Sequence, residues 1–360
     1  MEPNNPYVVA GALIIIALAV VFLMSTKAPQ EGASADTAIK AGLYTPAPNL
    51  SGIDGYLNVE EGFNLDDVRG KVVMVDFWTY SCINCIRTLP YLTAWDEKYR
   101  DEGLVIIGVH TPEFEFEKDY ENVKAAVEKH GIKYPVVLDN SFSTWRAYSN
   151  RFWPHKYLID KDGFIRYDHI GEGSYDETEK VIQELLAERN NGTGSGGSVS
   201  VNATDVDFVQ INTPEIYFGY KFALPSRNYL GNAEGFRPGE NVTYSLPQDI
   251  ELNRAYLDGT WKNTEDYMEL VSEKGKVVLK YEAKVVNIVA GMPANLTFTL
   301  DGKNLTADEL GSDASLENGQ ATAVVEGQDL YGLVDDEYSQ RTLEIEADGK
   351  GFRIYTFTFG

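Results

Sequence analysis

The two cysteines of this 360-residue chain, Cys82 and Cys85, stand together in the stretch "YSCINCIRTLP", residues 80–90. They follow an apolar run typical of a buried strand, "KVVMVDFW", and they begin a segment with a helical pattern, "CIRTLPYLTAWDEKYRDEG". At such a junction the first sulfur lies at a helix N-terminus, where backbone N–H groups and the helix dipole favour a thiolate. The second sulfur lies inside the helix and is shielded. We therefore expect two thiols with different exposure at the end of one strand.

Three uses of this cysteine pair are compatible with its spacing. A structural disulfide would close a very short loop and would gain little loop-closure entropy. A zinc or copper site would need more ligands, and the chain offers four histidines: His110, His130, His155 and His169. A redox couple requires a strand-to-helix junction, which is the context found here. We therefore predict a dithiol–disulfide couple, with no metal and no cofactor.

Residues 7–24, "YVVAGALIIIALAVVFLM", are uncharged and just long enough to cross a bilayer core. The N-terminal tail, residues 1–6, has no Lys or Arg, whereas a cleaved signal peptide begins with a basic region. We therefore predict a retained transmembrane anchor. Six glycosylation sequons outside this stretch favour an extracytoplasmic location for the soluble part: Asn49, Asn191, Asn202, Asn241, Asn295 and Asn304.

The formal net charge of −24 argues against a nucleic-acid partner, because phosphate recognition needs a basic surface. Composition then divides the rest of the chain. Residues 25–43 are predicted to be a tether, and residues 190–200, "NNGTGSGGSVS", a Gly/Ser linker. Between them, in residues 44–189, strand-like runs alternate with helical patterns, which predicts an α/β domain with a central mixed sheet flanked by helices. Short runs rich in Val, Ile, Thr, Tyr and Phe in residues 201–360 predict an all-β sandwich.

Other side chains near the cysteines fit a redox site. Asp76 lies inside the apolar run, so we expect a buried carboxyl with a raised pKa that can take a proton near the second thiol. The alternative for Asp76 is a carboxylate at the strand end in contact with water. Trp78 is predicted to flank the site and to face the substrate, with core packing as the alternative, and Pro90 predicts a kink in the helix.

The stretches "FWTYSCINCIRTLPYL", "GVHTPEFEFEKDYENV", "YPVVLDN" and "FWPHKYLIDKDG" resemble the thioredoxin superfamily, and within it the membrane-tethered TlpA and ResA type. The strongest resemblance is to the DipZ group of extracytoplasmic thioredoxin-like proteins. It continues in "TPEIYFGY", "GTWKN" and "VVNIVAGMP", which resemble the C-terminal β-domain of that group, a domain likened to carbohydrate-binding modules. The resemblance implies a thioredoxin-like (redoxin) fold and thiol–disulfide oxidoreductase activity.

The resemblance also implies roles for single residues. Cys82 matches the attacking cysteine, Cys85 the resolving cysteine and Asp76 the buried acid of the family. Pro154 matches the cis-proline that faces the active-site disulfide and pairs with the substrate backbone. The alternative for Pro154 is a trans proline at a strand start.

Further residues are implied to face the substrate. Trp153 and His155 flank Pro154 and are expected to shape access to the cysteines. Glu113, in "HTPEFEF", lies near the position where TlpA-type proteins carry an acidic residue close to the site.

Proteins of the DipZ group typically begin with a multi-span CcdA-like electron-transfer domain, whereas this chain has one predicted span. We therefore expect a separate membrane electron donor, such as a CcdA-like protein. The expected clients are extracytoplasmic proteins that contain disulfides.

Three other functions stay open at this point. A thiol peroxidase is one, although Val75 stands where the peroxidatic pattern needs proline and only Thr79 matches it. Copper handling would need His155 or His110 to converge on the two sulfurs. A binding or scaffolding protein would use its β-domain to dock glycan or client, with Trp261, Tyr217 and Tyr220 as candidate stacking rings and core packing as the alternative for each.

Overall fold

The computed structural model of the protein describes residues 35–192, 196–201, 211–227 and 230–360. The chain divides into two compact units, residues 1–46 and 47–360. In the first unit, helix α1 spans Ala35–Leu43, the end of the segment that composition assigns to the tether. The predicted anchor, residues 7–24, lies outside the described residues. Within the described ranges, no helix combines the length and the apolar character that a membrane span requires.

The second unit begins with an α/β domain, residues 47–192, built on a six-stranded sheet in the order β1-β4-β3-β2-β5-β6. Strands β2, β3 and β4 are parallel to one another, and the remaining pairs are antiparallel. The strands are β1 Gly55–Leu57, β2 Val72–Trp78, β3 Leu104–His110, β4 Val136–Leu138, β5 His155–Ile159 and β6 Ile165–Ile170. The helices are α2 Ile83–Tyr99, α3 Tyr120–Lys129, α4 Ser143–Ala147 and α5 Tyr175–Arg189, with 3₁₀ helices at Leu65–Val68 and Glu115–Lys118.

Strand β2 is buried along its whole length, as its apolar sequence predicts. Its side chains alternate between the two faces of the sheet. Val72, Met74 and Trp78 pack in the core that contains residues of α2 and α5, whereas Val75 and Phe77 pack in the core on the other face. By this alternation the carboxyl of Asp76 lies on the same face as α2, which carries the second cysteine.

The β-rich region, residues 211–360, forms a ten-stranded sheet of antiparallel pairs in the order β13-β14-β12-β15-β11-β16-β10-β9-β8, and β7 pairs with β16. Its strands are β7 Ile216–Tyr217, β8 Asn241–Tyr244, β9 Arg254–Asn263, β10 Met268–Leu270, β11 Lys274–Gly291, β12 Ala294–Leu300, β13 Ser315–Glu317, β14 Gln320–Val325, β15 Asp329–Asp348 and β16 Arg353–Phe359. Helix α6, Tyr220–Ala223, and a 3₁₀ helix at Ala307–Glu309 accompany them. Register shifts interrupt the pairing of the long strands β11 and β15, and such bulges bend a sheet.

The α/β domain and the β-rich region share apolar contacts within the second unit. The Tyr355 ring centroid of β16 lies 5.2 Å from that of Phe114 and 4.7 Å from that of Phe116. Part of the Gly/Ser segment lies against α5, where the Val199 N–H donates to the Glu179 carboxylate. These contacts hold the β-rich region beside the end of β2, where the cysteines lie.

Candidate active site

The two cysteines differ in exposure as the strand-to-helix junction predicts. Cys82 is the N-cap residue of α2, and its Sγ accepts a hydrogen bond from the backbone N–H of Cys85, with an N···S distance of 3.4 Å. Cys82 is half-buried, whereas Cys85 is 1% exposed and lies in the core. The two sulfurs are not joined by a disulfide bond in this structure. A substrate can therefore reach the first thiol but not the second.

The buried thiol has an acidic neighbour. Burial raises the pKa of Cys85, and the negative charge of Asp76 raises it further. Burial also raises the pKa of Asp76 to about 7, against the opposing effect of the Lys156 ammonium. Asp76 Oδ1 has no hydrogen-bond partner among the described residues. A carboxyl with this pKa exchanges a proton readily near neutral pH.

Lys156 is a site residue that sequence reasoning missed. It lies directly opposite Asp76 in the antiparallel pairing of β2 with β5, and its side chain is fully buried. Its Nζ donates a hydrogen bond of 2.9 Å to the carbonyl of Gly171. The signal in the sequence was a lysine inside the strand-like run "HKYLID", since a charged residue in a buried strand needs a partner.

Glu117 connects the loop before Cys82 to the turn that carries Glu113. Its Oε1 accepts a hydrogen bond of 2.5 Å from Ser81 Oγ. Its Oε2 accepts backbone hydrogen bonds from Glu113, at 2.6 Å, and from Phe114, at 2.9 Å. Because Glu117 is fully buried, this network positions Glu113 relative to the cysteine loop.

Cys82 opens into a cleft of about 640 Å³ between the α/β domain and the β-rich region. The Trp153–Pro154 peptide bond beside it is cis, and Trp153 Nε1 donates a hydrogen bond of 3.0 Å to the Thr111 carbonyl. Both regions supply lining residues, among them Cys82, Asn84, Glu113, Arg151, Phe152, Trp153, Glu172, Ile211, Pro214, Glu215, Tyr217 and Phe359. Glu113 and Trp153 therefore line the same cleft as Cys82.

The substrate-facing role predicted for Trp78 and His155 is wrong. Trp78 is fully buried, because the alternation along β2 directs its ring into the core beneath the helices. His155 is 5% exposed, and its ring nitrogens lie 2.6 Å from Asn150 Oδ1 and 3.0 Å from Asp168 Oδ2. Neither side chain lines the cleft.

The described residues contain one group of three potential metal ligands, Asp160, Asp162 and Glu188, and it includes neither cysteine. His110 is fully buried, and burial lowers its pKa to about 3. Of the candidate stacking rings, Trp261 is fully buried and donates to the Asp258 carbonyl. Trp261 therefore belongs to the core of the β-rich region.

A strand-end cysteine on a helix N-cap, a shielded second cysteine three residues later and this sheet order define a thioredoxin-like protein. Comparison with protein families agrees. Residues 44–168 match the AhpC/TSA family, and residues 213–360 match the thioredoxin-like C-terminal domain family.

Individual relatives indicate more specifically which thioredoxin-like proteins the chain is similar to. The chain is 37% identical over 318 residues to protein DipZ of Mycobacterium tuberculosis. The aligned region covers 87% of this chain and 43% of that protein. It is 30% identical to the thiol-disulfide oxidoreductase YkuV of Bacillus subtilis, over 41% of this chain and 97% of YkuV. It is 32% identical to the thiol-disulfide oxidoreductase ResA of Bacillus cereus, over 34% of this chain and 67% of ResA. The chain spans less than half the length of the DipZ proteins it matches.

The chain belongs to the thioredoxin-like family of thiol–disulfide oxidoreductases. The predicted resemblance to the ResA type and to DipZ is confirmed.

Proposed function

We propose that this protein is a membrane-anchored, extracytoplasmic oxidoreductase that exchanges disulfides with protein clients through a Cys82–Cys85 couple. The observation that carries the proposal is the contrast between the two thiols. Cys82 faces a cleft from a helix N-cap, whereas Cys85 is enclosed beside Asp76. Attack and resolution in thiol–disulfide exchange need this division between an accessible and a protected sulfur.

In the first step, the Cys82 thiolate attacks a client disulfide in the cleft. A mixed disulfide forms between Cys82 and one client sulfur, and the other client sulfur leaves with the bonding electron pair. The backbone N–H of Cys85 donates a hydrogen bond to the attacking sulfur. Trp153 lines the cleft where the client backbone would lie, and its peptide bond to the buried Pro154 is cis.

In the second step, Asp76 accepts the proton of Cys85, and the resulting thiolate attacks Cys82. The Cys82–Cys85 disulfide forms and the client leaves reduced. Lys156 assists by stabilising the Asp76 carboxylate across the β2–β5 pair. The reverse direction uses the same residues, because each exchange step is reversible.

The anchoring part of the proposal rests on the uncharged stretch of residues 7–24 and on the sequons of the remaining chain. An anchored enzyme that reduces clients needs electrons, for which we propose a membrane donor such as a CcdA-like protein. For the β-rich region we propose a sandwich that completes the client cleft. Glycan binding is the alternative for this region, but Trp261 cannot be its stacking ring, because that side chain is fully buried.

The test is single-turnover reduction of insulin by the full chain. The protein is first reduced with dithiothreitol, and the dithiothreitol is removed before insulin is added. Cys82→Ser is expected to abolish the reaction, and Cys85→Ser is expected to accumulate a covalent complex with insulin that excess thiol dissolves. Insulin reduction by Cys82→Ser at the wild-type rate would overturn the proposal. Turnover of hydrogen peroxide or stoichiometric copper binding by the same samples would favour the peroxidase or the copper function instead.

A further inference from the structure

Three polar side chains meet on the wall of the Cys82 cleft. The hydroxyl of Tyr217 lies 2.7 Å from Glu113 Oε1 and 2.8 Å from Glu215 Oε2. A phenol has one proton and donates one hydrogen bond at a time. The second short contact therefore needs a proton on the carboxyl, because two oxygen lone pairs would otherwise face each other. The Glu113–Tyr217–Glu215 array thus holds one exchangeable carboxyl proton.

Both parts of the second unit build this array. Glu113 comes from the α/β domain, where the Glu117 network holds its backbone. Glu215 and Tyr217 come from the β-rich region, where β7 pairs with β16 through Tyr217 and Thr356. All three members line the cleft into which Cys82 opens. The α/β domain by itself supplies only one of them.

The surroundings favour retention of the proton. Desolvation raises the pKa of Glu113, which is half-buried, and the charges of Glu215, Glu117 and Cys82 raise it further. The hydrogen bond from Tyr217 acts in the opposite direction on both carboxyls.

The other charged side chains nearby include compensating pairs. Outside the array, two charged side chains among the described residues line the cleft, Glu172 and Arg151. The Glu172 carboxylate forms an ion pair of 2.6 Å with Arg87. On α6, whose Phe222 packs on Tyr217, Lys221 lies 3.6 Å from Asp266. Each of these acid–base pairs contributes little net charge at the array.

We propose that the Glu113–Tyr217–Glu215 array is the proton donor for client sulfurs that leave in the Cys82 cleft, so that the β-rich region completes the active site. This inference rests on the proposed function. When the Cys82 thiolate attacks, a new S–S bond forms, the client S–S bond breaks and a client thiolate departs. Glu113 transfers a proton to that thiolate, which yields a client thiol and leaves both carboxyls ionised.

The array also provides a path for the proton's return. Glu215 is exposed to solvent, whereas Glu113 is half-buried nearer the turn that Glu117 holds. Water can therefore protonate Glu215, and the Tyr217 hydroxyl can pass a proton on by accepting one and donating its own. No further oxidant or reductant is needed, because the exchange itself supplies the electrons.

The test is Glu215→Gln in the full chain, assayed by single-turnover insulin reduction between pH 5 and pH 9. The introduced amide can donate to the Tyr217 hydroxyl while Tyr217 donates to Glu113, so both short contacts form without a carboxyl proton for Glu113 to transfer. We expect release of client thiol to fall about 100-fold at pH 7, the lower end of the range for a lost general acid. The wild-type rate should fall at alkaline pH as the array ionises, and this fall should be absent from the variant. Tyr217→Phe, which removes the bridge, should act in the same way.

Glu317→Gln, on the exposed strand β13, is the matched control and should behave like wild type. An unchanged pH profile in both array variants would overturn this inference while the proposed function stands, provided that Cys82→Ser is inactive. An equal loss at every pH would assign the array a structural role and would also overturn the inference. Activity in Cys82→Ser would instead remove the proposed function.

Discussion

Two acidic sites flank the two sulfurs, and they are built differently. Asp76 is a single carboxyl enclosed in the core, with Lys156 as its opposing charge. Glu113 lies on the cleft wall and is joined through Tyr217 to a second carboxyl, Glu215. Desolvation is the largest cause of the raised pKa at both sites.

In the proposed mechanism, the two sites perform two tasks that one acid could not perform. An enclosed carboxyl exchanges its proton with the buried Cys85, and the attacked client cannot reach it. A carboxyl on the cleft wall meets the client and recovers its proton from water. The enclosed site needs only the α/β domain, whereas the cleft site needs the β-rich region as well. The following four changes test this division, beginning with the largest expected effect.

Asp76→Asn removes the base at the enclosed site and should slow the attack of Cys85 on the mixed disulfide about 100-fold at pH 7. The first attack by Cys82 should change little. Rapid mixing with insulin, followed by acid quenching, measures both steps through the lifetime of the covalent complex. A normal lifetime would show that Asp76 is not the base.

The same substitution should also change stability. The folded-state pKa of Asp76, about 7, lies above its ordinary value of 3.8, so its contribution to stability is fully present below about pH 4 and is lost as the pH rises to 7. Relative to wild type, Asp76→Asn should be about equally stable at pH 4 and more stable at pH 8, by about 2 to 4 kcal/mol. Urea unfolding at the two pH values measures the difference, and equal gains at both would contradict this account.

Lys156→Met should raise the pKa of Asp76, because it removes the opposing positive charge. We expect the pH dependence of the resolving step to move up by about one unit, with a loss of roughly 10-fold at pH 7. Lys180→Met is the control, because that side chain is 74% exposed on α5. A shift in the pH dependence of client release at the cleft site, rather than in the resolving step, would contradict the separation of the two acids.

Glu117→Gln tests the support of the cleft wall. The amide cannot accept from Ser81 and from both backbone N–H groups as the carboxylate does, so a buried donor loses its partner. The free energy of unfolding should fall by about 1 to 3 kcal/mol. Urea unfolding measures it, with the exposed Glu121→Gln on α3 as the control. Stability equal to that of the control variant would show that the network does not hold the turn.

Asp329→Asn is expected to have the smallest effect. It breaks the 2.7 Å ion pair with Lys129, which links the same two regions outside the cleft. Both side chains are substantially exposed, so the free energy of unfolding should change by at most about 0.5 kcal/mol and insulin reduction should not change. A larger loss that high salt removes would show that this ion pair, rather than the apolar contact around Tyr355, holds the regions together.

The sequence by itself determined the features that depend on neighbours along the chain. The apolar run, the Cys-x-x-Cys spacing and the helical pattern together placed Cys82 on a helix N-cap and Cys85 inside the helix. The same apolar run predicted that Asp76 is buried, and every residue of β2 is indeed buried in the structure. These are local properties, set by the periodicity of strands and helices.

Tertiary structure decided which distant residues meet. Lys156 faces Asp76 only because of the β2–β5 register, and Tyr217 reaches Glu113 across 104 positions of the chain. Packing also enclosed Trp78 and His155, two aromatic residues that flanked functional positions in the sequence. Strand register and the contact between two sheets are set by the packing of the whole unit. The pattern of residues therefore located the cysteines and Asp76, whereas the fold brought Lys156 to Asp76 and Tyr217 to Glu113.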